Sequence, residues 1–247
     1  MDVAWYEISG APRMLPQVYL IRHGETAWSL SGQHTSRTDI PLTAQGEVEA
    51  RQLGPGLRAI SFSRVLTSPR QRARRTCDLA GLAAVAEIEP DLAEWDYGNY
   101  EGKLSAEVLQ ARPDWNLFRD GCPNGEVPAD VSDRADRLIA RLRTLPGNTA
   151  LFTHGHFGRV FAVRWIGLQV IEAQRFLLGT ASLGILGYEH EHADLPAMML
   201  WYAASWAPAH SETVPVAGGT ATKRRALDRW ENEGGEIPIE RRTKAES

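Results

Sequence analysis

The chain has 247 residues, 43% of them hydrophobic and 23% charged, with a formal net charge of −4. That make-up belongs to a globular protein able to bury a sizeable core, and its charge offers no overall attraction to nucleic acid or anionic lipid. With two cysteines, Cys77 and Cys122, no disulfide framework is implied. No apolar run nears the roughly 18–20 residues that span a bilayer, and the N-terminus lacks the basic flank and apolar core of a secretion signal. These features point to a cytoplasmic protein with neither nucleic acid nor membrane as partner; a homo-oligomer is compatible with them.

Residues 1–16 read as a short extension. Val18 to Ile21 is a continuous, partly β-branched apolar run followed by Gly24, the pattern of a strand buried on both faces. Thr43 is a helix N-cap, with helical spacing through Val48, Ala50 and Leu53. A brief strand at Val65 and Leu66 leads to a helix for which Ser68 is the expected N-cap and Pro69 the first helical residue. A short helix is expected before Pro113, since a residue preceding proline leaves the helical region. Val131, Ala135, Leu138, Ile139, Leu142 and Leu145 form the apolar stripe of an amphipathic helix. Thr149 to Thr153 is a second buried strand, and two later strands are expected in "SLGILGYEHEH" and "AMMLWY". Strands alternating with helices predict a three-layer α/β/α domain over 17–206 with a mostly parallel sheet. From 207 to 247 the pattern stops; basic and acidic residues are balanced there, and Gly and Pro are frequent, as in a flexible tail.

Two strands end in histidine and glycine: "RHG" (Arg22, His23, Gly24) and "THG" (Thr153, His154, Gly155). A third leads into the helix that bears Arg72 in its first turn. Sites in open α/β sheets lie beyond the carboxyl ends of the strands, so parallel strands gather two imidazoles and two guanidiniums at one rim. Such a group suits a phosphoryl group. Arginine presents a planar fork of donors to phosphate oxygens, a neutral imidazole is a competent nucleophile, and oriented donors stabilise the equatorial oxygens in the transition state. Glu94, beside Trp95 and Tyr97, is the candidate proton donor, because desolvation by such neighbours favours a protonated carboxyl.

These residues resemble the histidine phosphatase superfamily, also called phosphoglycerate mutase-like. The likeness runs from Val18 to about Trp201 and rests on "RHGET", "DIPLTAQGE", "TSPRQRARRT", "AEWDYGNYEG", "NGE" at 124–126 and "THGH", six blocks in the family's order. It implies a phosphorylated nucleophile at His23, a phosphate pocket completed by Arg22, Arg72 and His154, Glu94 as general acid and base, and no metal or other cofactor. "SGQHTSRTDIPLT", "RDGCPNGE" and "HGHFGR" are similar to fungal-type sedoheptulose-1,7-bisphosphatases, although the segment after "HGHFGRVFAVRWIGL" is shorter than in those enzymes. Ser29 and "YEGK" depart from the phosphoglycerate mutases. The implied partner is a small phosphorylated metabolite, a sugar phosphate or bisphosphate, with Gln33, Thr35, Tyr97, His156 and Arg159 as outer substrate contacts.

Plainer readings stand beside these. Either histidine alone reads as a satisfied polar residue at a strand end. Arg70, Arg74 and Arg75 read as a solvated or ion-paired helix face, and Cys77 as core. In "EHEH" (189–192) strand alternation puts the two histidines on one face and the glutamates on the other; an exposed strand end explains it better than a metal. Zinc at His154 and His156 is disfavoured by the neighbouring arginines. A mutase using the same pocket is the rival enzyme. A non-catalytic binding module on the same fold is the rival of another class, and its mark, loss of His23, Arg72 or Glu94, is missing.

Overall fold

The structure is a computed structural model that describes residues 15–190 and 192–203. The expected extension, apart from Leu15 and Pro16, and the expected tail 207–247 lie outside the described residues. Six strands form one sheet in the order β3-β2-β4-β1-β5-β6. They are β1 (Val18–Arg22), β2 (Phe62–Thr67), β3 (Ala86–Ile88), β4 (Asn148–Thr153), β5 (Leu183–Tyr188) and β6 (Pro196–Ala203). β1, β2, β3 and β4 run parallel, whereas β5 is antiparallel to β1 and β6 to β5.

Strand alternation builds the layers. Tyr19, Ile21, Val65, Ala150 and Phe152 share one apolar cluster with Leu53 and Leu57 of α2 (Ala44–Arg58) and Cys77 of α3 (Gln71–Leu79). Val18, Leu20, Leu66 and Leu151 face the other way. They meet Val131, Ala135 and Leu138 of α6 (Pro128–Leu142) and Val160 and Phe161 of α7 (Gly155–Trp165). Consecutive side chains of one strand thus serve two cores, as period two requires. This is the expected α/β/α sandwich.

Thr43 caps α2 by accepting the Gly46 N–H at 3.0 Å; of the residues that suggested this helix, Ala50 and Leu53 are buried and Val48 is exposed. The helix before Pro113 is α4 (Ser105–Ala111). Sequence periodicity did not indicate α1 (Ala27–Ser31), β3, α5 (Leu117–Asp120) or α7. Three of these are five residues or shorter, and α7 is buried almost all round, so it shows no amphipathic stripe.

Two of the sequence expectations are corrected. α3 begins at Gln71 with Arg70 at its N-cap, not at Pro69; the Ser68 hydroxyl is shared between the Arg70 N–H and His154. β5 stops at Tyr188, so Glu189 and His190 belong to the turn into β6. His190 has φ of +49° and pairs with its neighbour Glu189, which breaks the alternation expected of a strand.

The loop after β1 lies against α2 at backbone distance. A Cβ on Gly24 would come within 2.4 Å of the Gly46 carbonyl oxygen, and a Cβ on Gly46 within 2.1 Å of the Glu25 carbonyl oxygen. Gly46→Ala should therefore force the helix from the loop and cost about 1–3 kcal/mol, with a matching loss of activity; denaturant unfolding of the variant beside an exposed control, Val48→Ala, measures it.

Candidate active site

β1 and β4 pair in parallel with Arg22 opposite Thr153, and the His23 N–H donates to the Thr153 carbonyl at 3.0 Å. That register carries His23 and His154 past the sheet edge side by side, their ring centroids 5.2 Å apart. Nδ1 of His23 lies 2.8 Å from the Gly24 carbonyl oxygen. A carbonyl only accepts, so Nδ1 bears the proton and Nε2 keeps its lone pair. Burial, then the Arg72 and Arg22 charges, hold this imidazole well below the ordinary histidine range. The ring is held neutral, with its tautomer set by the backbone.

His154 is the N-cap residue of α7 and is fully buried. Its Nε2 is 2.7 Å from the Ser68 hydroxyl, which also accepts the Arg70 backbone N–H at 3.3 Å. A hydroxyl has one proton besides its two lone pairs, so it can accept that N–H and donate to Nε2, the arrangement in which His154 keeps its proton on Nδ1. Nδ1 has no partner. Burial, followed by Arg72, His23, Arg22 and Arg70, keeps this imidazole neutral as well.

Arg72 lies in the first turn of α3 with none of its surface exposed. Nη1 donates to the Thr38 carbonyl at 3.2 Å and Nη2 to those of Thr35 and Ser36 at 3.0 and 3.4 Å, while Nε is buried with no partner. One turn on, Thr76 donates to the Arg72 carbonyl at 2.7 Å and accepts the Gly24 N–H at 3.0 Å. The arginine block is thereby tied to the loop that carries the nucleophile. Arg22 donates to the Leu178 carbonyl.

Glu94 is buried among donors. Oε1 accepts the N–H groups of Trp95 and Phe157 at 2.9 and 2.7 Å, and Oε2 that of His156 at 3.1 Å. The last two are at the start of α7, so one carboxylate joins the acid's loop to the helix that follows His154. The same loop is clamped from α6: Arg134 donates to both oxygens of Glu126 and to the carbonyls of Asp91 and Ala93. Trp95, expected beside the carboxylate as a desolvating wall, packs its ring on Phe118 and donates from its indole to the Glu126 carbonyl.

A cavity of about 40 Å³ lies over His23, lined by Arg22, Thr26, Trp28, Ser29, Gly32, Gln33, His34, Thr35, Glu94, Tyr97, Gly155 and His156. It has room for roughly three waters, the scale of a small anion. Gln33, Thr35, Tyr97 and His156 thus reach the expected place. Arg159 is not in this wall. It is fully buried, donates from Nε to the Ala173 carbonyl at 2.8 Å, and has its guanidinium over Phe118. Trp28, His34 and Ser68 were not foreseen as site residues. His34 stacks on Tyr97 at 4.6 Å, and the Tyr97 hydroxyl meets His156 Nδ1 at 2.6 Å. Two polar neighbours, Gln33 and Thr35, flank His34 in the sequence; that was the available signal.

Residues 18–200 match the model of the histidine phosphatase superfamily, branch 1. The chain belongs to that superfamily. It is 44% identical to an acid phosphatase of Mycobacterium tuberculosis over 74% of this chain and 92% of that protein. It is 33% identical to the sedoheptulose 1,7-bisphosphatase of Saccharomyces cerevisiae, with coverage of 76% and 93%. Among solved structures, the product of a Mycobacterium tuberculosis open reading frame, Rv3214, superposes with a TM-score of 0.71 at 40% identity, covering 76% of this chain and 97% of that one.

Other features of this histidine phosphatase fall away from its chemistry. Ser29, where the mutases usually show Asn, uses its hydroxyl on Thr26, accepting the N–H at 2.8 Å and donating to the carbonyl at 3.0 Å. Burial pushes the Cys77 and Cys122 thiols up to about 12, so neither is a thiolate nucleophile near neutral pH. A wider groove of about 620 Å³ between α3 and β3 is lined by the ion-paired Glu47, Arg75 and Asp78 and by none of the motif histidines. Among the described residues no three His, Cys, Asp or Glu side chains are grouped to hold a metal, and no helix is long and apolar enough to cross a membrane.

Ser68→Ala removes the partner of His154 Nε2 and should lower kcat roughly tenfold, the worth of one buried hydrogen bond, with little change in KM; Ser68→Thr, which keeps the hydroxyl, should restore it. Both imidazoles should remain neutral by NMR as pH falls through about 6.5, the ordinary histidine value. In the unfolded chain they take up protons there while the native rings do not. Stability should therefore be fully present above that pH and fall as pH drops below it, read from denaturant midpoints across pH.

Proposed function

We propose that this histidine phosphatase is a metal-independent phosphomonoesterase acting through phosphohistidine on a small phosphorylated metabolite, a sugar phosphate or bisphosphate. The observation that carries the reading is the bond from His23 Nδ1 to the Gly24 carbonyl, which leaves Nε2 as a neutral nucleophile under a cavity of anion size.

Nε2 attacks phosphorus, and the bond to the leaving oxygen breaks with its electron pair going to that oxygen. Arg22, Arg72 through Nε, and His154 through Nδ1–H stabilise the equatorial oxygens as charge moves. A carboxylate has about four acceptor positions, and backbone N–H groups fill three of them on Glu94. The remaining one, on Oε2, holds the proton given to the leaving alkoxide. In the second half-reaction the same oxygen takes a proton from water, whose oxygen attacks phosphorus; the P–N bond breaks and the imidazole regains its lone pair. The resemblance to an acid phosphatase and a sugar bisphosphatase supports hydrolysis of such esters.

One single-turnover experiment tests both roles. After acid quench, labelled phosphate should be found on the wild-type protein and be missing from His23→Ala; label retained by the variant points to another nucleophile. Nitrophenolate departs without a proton, whereas a sugar alkoxide needs one. Glu94→Gln should therefore slow phosphorylation by a sugar phosphate about a hundredfold or more beyond its effect with nitrophenyl phosphate. Equal slowing would make Glu94 a structural clamp of α7.

A further inference from the structure

The helix pattern placed Arg70 with Arg74 and Arg75 on an ion-paired outer face. Arg75 fits that description, pairing with Glu47 and Asp78. Arg70 does not. It is half-buried, its Nε is shut from solvent without a partner, and its guanidinium makes no hydrogen bond or ion pair with any described residue. A buried donor left unmatched is unfavourable, so a ligand that matches it is the thing to look for.

Arg70 lines a second cavity, of about 230 Å³, together with Ser36, Arg37, Ala93, Glu94, Asp96, Glu126 and Arg134. Glu94 lines both this cavity and the one over His23. The acidic neighbours are all engaged: Asp96 with Arg37, Glu126 with Arg134, and Glu94 with three backbone N–H groups. When Glu94 carries the proton for the leaving group, three guanidiniums face two carboxylates across this space. The charge of Arg70 is also felt by Arg72 and His154.

We propose that Arg70 anchors a second subsite, which takes a further phosphate carried on the leaving-group side of a bisphosphorylated substrate. The inference rests on the reading of Glu94 as the proton donor, because the leaving oxygen must then sit at Glu94 with the remainder of the substrate beyond it. The cavity bounded by Arg70 is the space beyond. Arg159, the expected contact for a second phosphate, packs over Phe118, donates to the Ala173 carbonyl and lines neither cavity.

The test compares matched substrates, fructose 1-phosphate with fructose 1,6-bisphosphate, in wild type and Arg70→Gln. Wild type should prefer the bisphosphate, and the substitution should reduce the ratio of the two kcat/KM values about tenfold, the worth of a charge-assisted contact, chiefly through KM of the bisphosphate. Loss of a general field would lower both substrates alike; an unchanged ratio, or a wild type without preference, overturns the subsite. Arg70→Lys, which keeps the charge and loses the fork, reads the same ratio should the glutamine variant fail to fold. Calorimetric binding of the two sugars to His23→Ala, with and without Arg70→Gln, needs no turnover and so separates failure of the subsite from failure of the catalytic reading. 3-Phosphoglycerate against glycerol 3-phosphate completes the set, and an effect confined to that pair would assign Arg70 to a carboxylate and overturn the phosphate.

Discussion

The site depends on keeping one imidazole neutral, in one tautomer, among guanidinium groups. Three effects act together on His23. Burial and the two arginines disfavour its cationic form, and the Gly24 carbonyl accepts a hydrogen bond from Nδ1–H and leaves Nε2 bare. The carbonyl can do this only if the chain turns sharply after β1, and that turn requires α2 to approach at backbone distance. Gly24 and Gly46 make the approach possible, since a Cβ at either would strike backbone. Thr76 then fastens the Gly24 N–H to the helix that bears Arg72. The nucleophile, its tautomer and the principal cation are consequences of one contact between a loop and two helices.

The opposite face of the sheet supplies the proposed acid. Glu94 lies in a loop without regular structure, and neither strand nor helix fixes it. Its position comes from the ends of other elements: the first turn of α7 donates to its carboxylate, and Arg134 of α6 holds the carbonyls on its N-terminal side and Glu126 on the other. Gly98 and Gly125 let the two loops touch, each lacking the Cβ that would collide with the other's backbone. The carboxyl proposed to release and recover a proton is thereby held in place by backbone donors and an ion-paired loop.

Much of this was legible from residue order. Short apolar runs ending in "RHG" and "THG" identified the parallel strands and the rim where their ends meet, because a strand buried on both faces has few alternatives to a continuous apolar run. The stripe of α6 and the Thr43 cap of α2 were equally plain. Arg159 and Arg70 were harder to place. Both are arginines near motif histidines, and nothing local distinguishes one that packs over Phe118 and donates to the Ala173 carbonyl from one that lines a cavity.

Sequence by itself determined most of the strands and helices and which chemistry is available, since propensity, periodicity and the side-chain inventory are local properties. Tertiary structure alone decided which atoms are occupied. Ser68 was the expected helix cap, but its hydroxyl is shared with His154. "EHEH" alternated like a strand until β5 ended one residue before it. Glu94 was flanked by aromatic residues, yet its oxygens face backbone donors from a helix about 60 residues away in the chain. In each case the deciding partner is distant in sequence and close in space, and hydrogen-bond competition among such partners is settled only once the chain has folded.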